Sequence, residues 1–271
     1  MMSFLKEYLT KGINAESPAI NCYNAGDYSK AFELFKEAAE EGSSISQNWL
    51  GFLYENGLGV EQDYKKAMEW YMKAAEQNFA EAQNNIGDLY YYGHGVEEDD
   101  KKAMEWYMKA AKQNFAEAQN NVGCLYEDGL GVEQDYKKAM EWYMKAAEQN
   151  NVYAQYNIGD LYFNGKGVEQ NYSEAFEWYM KAAEQNDVDA QYKIGYMYRY
   201  GEGVEQDYSK AFEWYMKAAE QNDANAQCSV GCMYYFGRGV EQNYEKAKEW
   251  FSKAAEQDNT DAKEYLEKIP E

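Results

Sequence analysis

One histidine and four cysteines are all this chain offers in imidazole and thiol. His94 lies in a Gly-His-Gly turn, and the cysteines stand at 22, 124, 228 and 232. A structural zinc site takes Cys or His ligands at short, characteristic spacings, and no such ligand set surrounds His94, which reads as a solvated turn residue. Cys228 and Cys232 share a helix face at i,i+4. With no further soft ligands nearby they read as small groove-lining side chains rather than a metal pair. The recurring Gly-x-Gly turns follow helical rather than strand patterns, and they lack the third glycine and the lysine of a phosphate cradle. Carboxylates abound, but at helix starts and on polar faces, where charge is ordinarily solvated. Catalysis needs a nucleophile, base or metal held in a pocket. The inventory argues against an enzyme and for no metal or cofactor.

The charge balance narrows the partners. Asp and Glu number 48 against 26 Lys and Arg, a formal net charge of −22. Such a surface repels nucleic-acid phosphates and anionic membranes alike, which leaves a protein or peptide, basic or compatible with aromatic side chains. No run of about 18 apolar residues encodes a spanning helix. The opening MMSFLKEYLTKG lacks the continuous apolar stretch of a secretory leader. With cysteines in no framework spacing, a cytoplasmic setting is expected.

What must position any functional residue is a repeat. Gly-Val recurs at Gly59, Gly95, Gly131, Gly167, Gly203 and Gly239, and Trp at 70, 106, 142, 178, 214 and 250, each step being 36 residues. Each unit codes for two helices. Helix A, such as 81–92, sets Ala82, Ile86, Leu89 and Tyr90 at helical spacing, and helix B, such as 64–77, does so with Tyr64, Ala67, Trp70, Tyr71 and Ala74. Asp63, Asp99, Asp135, Asn171, Asp207 and Asn243 stand where helix B needs an N-cap. Asn78, Asn114, Asn150, Asn186 and Asn222 stand at its end, where a left-handed residue is wanted. Gly51, Gly87, Gly123, Gly159, Gly195 and Gly231 lie inside helix A, each costing ~1 kcal/mol relative to Ala. That recurring cost predicts a close approach by another helix. The expected organisation is an N-terminal extension (1–17), a partial repeat (18–43), six full repeats (44–258) and a C-terminal capping helix (259–271).

The pattern A-x-A-Q-x-x-[IVL]-G-x-[LM]-Y…G-x-G-V…D-Y-x-K-A-x-E-W-Y-x-K-A-A, over nearly the whole chain, resembles the Sel-one-like repeat family, relatives of tetratricopeptide repeats. The stretch from Gly26-Asp27-Tyr28 through Ala31, Phe35 and Ala38 is closer to a plain tetratricopeptide repeat. The resemblance implies an all-α, right-handed α-solenoid of helix-turn-helix repeats with helix A lining a concave face, and an adaptor role in protein complexes. The family's secreted, cysteine-rich branch pairs cysteines at places held here by Ala75 and Gln83, and this chain departs from it.

Comparing the six copies locates a candidate site. Helix B scarcely changes, whereas helix A varies at its second, fifth, sixth, ninth, twelfth and thirteenth residues, counting from Ala80. Those offsets fall on one face. Constant Trp and Tyr of helix B are expected to pack between neighbouring units. The variable stripe supplies the candidate protein-binding residues. Asn84, Asp88, Tyr91 and Asn120 lie in its amide-rich and acidic part. Tyr156, Asn157, Asp160, Phe163, Tyr192, Tyr196, Arg199, Tyr200, Tyr235 and Phe236 lie in its aromatic part. Rigid tyrosines make large contacts at small entropic cost, and Asn84, Asn120 and Asn157 carry donor and acceptor together for a ligand backbone. Two readings stay open: a groove that holds a peptide or protein segment, and a structural spacer or self-assembling element whose aromatics fill gaps between adjacent A helices.

Overall fold

The computed structural model describes residues 17–269, so the expected extension at 1–17 lies, apart from Ser17, outside the described residues. Among these the protein is all α-helical. The helices follow an α-solenoid pattern, and within each of its two units a helix packs on its chain neighbours. The chain divides after Asp135 into two compact units. The first holds α1 (Pro18–Asn24), α2 (Tyr28–Glu40), α3 (Ser44–Asn56), α4 (Tyr64–Glu76), α5 (Ala80–Tyr92), α6 (Asp100–Ala111) and α7 (Ala116–Asp128). The second holds α8 (Tyr136–Ala147), α9 (Val152–Asn164), α10 (Tyr172–Glu184), α11 (Val188–Tyr200), α12 (Tyr208–Glu220), α13 (Ala224–Phe236), α14 (Tyr244–Glu256) and α15 (Thr260–Lys268). From α3 onward the odd-numbered helices of the first unit are A helices and the even-numbered B helices. The second unit opens on a B helix and ends on the truncated A helix α15.

Local chemistry sets the helix ends. Asp63 accepts from the amides of Lys65 and Lys66, and Asp99, Asn171, Asp207 and Asn243 cap their B helices in the same way. Past the B-helix ends, Asn78, Asn114, Asn150, Asn186 and Asn222 hold φ between 61° and 70°, the left-handed conformation that Asn tolerates better than most residues. The second glycine of each Gly-x-Gly turn lies against the start of the preceding repeat's B helix. A Cβ on Gly59 would stand 2.3 Å from the Tyr28 carbonyl oxygen, and one on Gly203 would stand 2.4 Å from the Tyr172 carbonyl.

The mid-helix glycines explain the A–B pairing. A Cβ on Gly51, Gly87, Gly159, Gly195 or Gly231 would fall 2.5 to 2.7 Å from ring carbons of Tyr71, Tyr107, Tyr179, Tyr215 or Phe251. The close approach is therefore made by the ring of an aromatic side chain, not by a second backbone. These rings are buried, with Ala67, Ala74, Ile86 and Leu89 or their equivalents around them. The conserved pair of helix B thus divides its work. The Tyr lies on the glycine of its own helix pair and also faces the next A helix. Trp106, Trp214 and Trp250 instead pack at the edge of the cluster that joins the preceding B helix to their own A helix. The exposed face of each Trp is covered by the Lys three residues on, 3.4 to 4.1 Å above the ring centroid.

Buried polar atoms are paired in a repeating network. The Gln of A-x-A-Q accepts from the Gln that ends its own B helix, at 2.8 Å for Gln113 to Gln83, Gln185 to Gln155 and Gln257 to Gln227. The same buried amide donates backward to the preceding B helix, as Gln47 does to the Ala39 carbonyl at 3.1 Å. The ring hydroxyl buried against helix A also needs a partner. Tyr71 donates to Glu55 at 2.6 Å, Tyr107 to Asp88 at 2.7 Å, and Tyr179 to Asp160. Burial pushes Asp88 up to about 7, against the lowering effect of the Tyr107 hydrogen bond, and Glu81 likewise to about 7.

Two outcomes follow for the fold. Gly87→Ala gains ~1 kcal/mol of helix propensity but drives a methyl into the Tyr107 ring, and overpacking of this kind costs ~1–3 kcal/mol. The variant is expected to unfold at lower denaturant than the parent, and an equal or higher midpoint would contradict the packing account. The acids give a pH signature. Asp88 and Glu81 bind their protons more tightly folded than unfolded, so their contribution is full below the ordinary carboxylate range. It falls as pH rises from there through about 7. Apparent thermal midpoints are expected to drop from pH 6 to pH 8 more in the parent than in Glu81→Gln/Asp88→Asn.

Candidate functional site

The variable stripe is not one uniform exposed face. Its fifth residue points toward the neighbouring A helix. Asn84 and Asn120 are only 7% and 8% exposed, and Tyr156 and Tyr192 are half-buried. Its thirteenth residue stands in solvent, Tyr92, Tyr200 and Phe236 being 61%, 51% and 45% exposed. The sixth, ninth and twelfth residues lie between, so Tyr91, Asn157, Asp160, Phe163, Tyr196, Arg199 and Tyr235 are all half-buried.

In the first unit the amides bind one another. Asn85 donates to Asn48 and Asn121 to Asn84, each at 3.0 Å, so successive A helices are joined rung by rung. Asn84 in turn donates to Asp88 at 3.1 Å, and Asn120 to the Cys124 sulfur at 3.8 Å. At Asn84 the donor and acceptor expected for a ligand backbone are engaged instead by Asp88 of the same helix and by Asn121 of the next A helix. Asp88 and Asp160 carry a similar internal duty toward Tyr107 and Tyr179. His94 is also more enclosed than a solvated turn residue. Its ring stacks on Tyr64 at 4.6 Å and faces Tyr92 at 5.6 Å, because the turn folds back over the preceding B helix.

In the second unit the stripe is a chain of aromatic contacts. Tyr156 leans on Tyr179 (5.5 Å between centroids), Phe163 on Tyr196 (6.1 Å), Tyr196 on Tyr200 (4.5 Å) and Tyr192 on Tyr215 (5.5 Å). Tyr235 and Phe236 meet at 4.8 Å, and Tyr235 reaches Tyr265 at 5.9 Å. Lys193 lies 5.2 Å from the Phe163 ring centroid and pairs with Asp160 at 3.4 Å.

These side chains surround a cleft of about 260 Å³. One wall is Tyr192, Tyr196, Arg199 and Tyr200 of α11, backed by Tyr215. The other is Asn225, Cys228, Ser229 and Cys232 of α13, closed by Asn259, Asp261 and Tyr265. Arg199 lies 5.2 Å from the Tyr200 ring centroid and shares the cleft wall with Tyr215. Cys228 and Cys232 are more than groove lining. Both are buried in a core with Phe251 and Ala262, and their interaction raises the first thiol and lowers the second. Among the described residues no three or more His, Cys, Asp or Glu gather in a way that holds a metal ion. Sequence reasoning missed Asp261 and Tyr265. They are the second and sixth residues of α15 on the same 36-residue ruler, a signal set aside when that helix was read as a cap alone.

The family model of the Sel1 repeat matches residues 22–43, 44–79, 80–115, 116–151, 152–187, 188–223 and 224–259. Among solved structures, the chain is similar to a protective antigen of uropathogenic Escherichia coli strains that displays an SLR fold. Identity is 40% and the TM-score 0.80, covering 87% of this chain and 50% of that one, so this chain spans about half that protein's length. It is also similar to a Sel1 repeat protein from Oxalobacter formigenes, at 35% identity and TM-score 0.78, covering 87% and 94% of the two chains. A search of curated proteins finds no match. With seven consecutive matches from residue 22 to residue 259, and with that fold, this chain belongs to the Sel1 repeat family.

Proposed function

We propose that this chain is a non-catalytic adaptor that holds a peptide or protein segment along its A helices, with the aromatic cleft of the second unit as the anchoring point. Sel1 repeat proteins are in general protein-interaction scaffolds. The observation that carries the reading here is the confinement of variation. Copies whose helix B scarcely changes have diverged along one stripe of helix A. In the second unit that stripe leaves Tyr153, Tyr200 and Phe236 standing in solvent. Exposed aromatics on a rigid scaffold are costly to keep uncovered and are the usual anchors of interfaces. The excess of acid favours a segment that carries cations as well as apolar side chains. No described helix is long and apolar enough to cross a membrane.

The test is selection of random twelve-residue peptides on the intact chain, with Tyr200→Ser/Phe236→Ser as the comparison. Both positions are exposed, so unfolding midpoints are expected to stay within a few degrees, while selected peptides bind at least ~tenfold more weakly to the variant. If no peptide is enriched and light scattering shows self-association that the variant abolishes, the spacer reading takes its place.

A further inference from the structure

Arg199 is out of keeping with its surroundings. The chain has almost two acids per base and only two arginines, and several lysines find carboxylates, among them Lys193 on the same stripe. Lys66 pairs with Asp63, Lys102 with Asp99, Lys193 with Asp160 and Lys210 with Asp207, at 3.2 to 3.9 Å. Arg199, half-buried in the cleft, forms no ion pair among the described residues. It lies against the Tyr200 ring in a wall that Tyr215 also lines. A partly desolvated guanidinium packed on rings keeps its N–H fork available. That planar fork matches a carboxylate in two-point fashion.

The comparison among repeats sharpens this. In three other copies the hydroxyl of the buried B-helix tyrosine is met by an acid, namely Glu55, Asp88 or Asp160. In the fifth repeat the stripe residue beside Tyr215 in the cleft wall is a cation, so charge at this point of the stripe is reversed. In the next repeat Phe251 replaces the tyrosine and no hydroxyl needs a partner. The opposite wall carries Asn225 and Asp261. A doubly charged phosphate would meet Asp261 there, whereas a single carboxylate with an N–H beside it complements both walls.

We infer that this cleft takes a peptide carboxylate, seated on Arg199 among Tyr192, Tyr196 and Tyr200, with an N–H of the same segment turned to Asp261. The inference rests on the adaptor reading and adds its ligand chemistry. A chain-terminal carboxylate and an Asp or Glu side chain share that chemistry, and the experiment separates them.

The intact chain is offered three pools of random pentapeptides. The first has a free C-terminal carboxylate and no Asp or Glu. The second is the same pool amidated. The third is amidated but contains Asp and Glu. Enrichment of the first or third pool at least ~tenfold over the second is expected, the pool enriched naming the source of the carboxylate. Arg199→Met is expected to abolish the preference and Arg199→Lys to retain part of it, with circular-dichroism melting confirming that both remain folded. Equal enrichment of all three pools, or a preference that survives Arg199→Met, overturns the carboxylate inference and leaves the adaptor reading standing. Enrichment of none overturns both.

Discussion

One aromatic ring laid on one glycine organises five of the helix pairs described above. The ring of Tyr71, Tyr107, Tyr179, Tyr215 or Phe251 occupies the place where a Cβ on helix A would be. That contact brings the two backbones close enough for small Ala side chains to fill the remaining core. It is costly locally, since glycine weakens a helix, and it is sustained because each pair is repeated and stacked. A solenoid gains stability from nearest-neighbour interfaces rather than from a single large core.

Burying a tyrosine hydroxyl beside that glycine creates an obligation, since an unpaired polar atom in the interior is expensive. The obligation falls on helix A, and it is met from the stripe that also faces outward. Glu55, Asp88 and Asp160 answer it with a carboxylate. The stripe therefore serves two purposes, and its chemistry cannot be read as ligand recognition alone. Where an acid answers, its charge is spent on the tyrosine. Where Arg199 stands beside Tyr215, the charge remains for something else.

The two units differ in how they spend the stripe. In the first, amides bridge successive A helices through Asn48, Asn85, Asn84 and Asn121. The surface is stitched to itself and resists being opened by a partner. In the second, Tyr156 and Tyr192 take the place of Asn48 and Asn84. Rings further along the stripe meet edge to face, Phe163 with Tyr196 and Tyr235 with Phe236. Such contacts satisfy no hydrogen bond and can be extended by another ring at little cost.

How much of this was legible follows from periodicity. The 36-residue ruler, the caps at Asp63 and Asn171, the left-handed Asn78 and the core stripe of Ala82, Ile86 and Leu89 depend on neighbours within one or two helical turns or on strict repetition. The sequence therefore determined the helices, their order, the repeat family and the face that varies. Tertiary packing alone decided that Asn84 is a buried rung and Asn120 is buried, that Cys228 and Cys232 enter a core, and that Tyr265 and Asp261 close a cleft around Arg199. The physical reason is that helical offsets tell which way a side chain points on its own helix, and say nothing of how close the next helix stands. That distance is set by a glycine and a ring some twenty residues away in the chain.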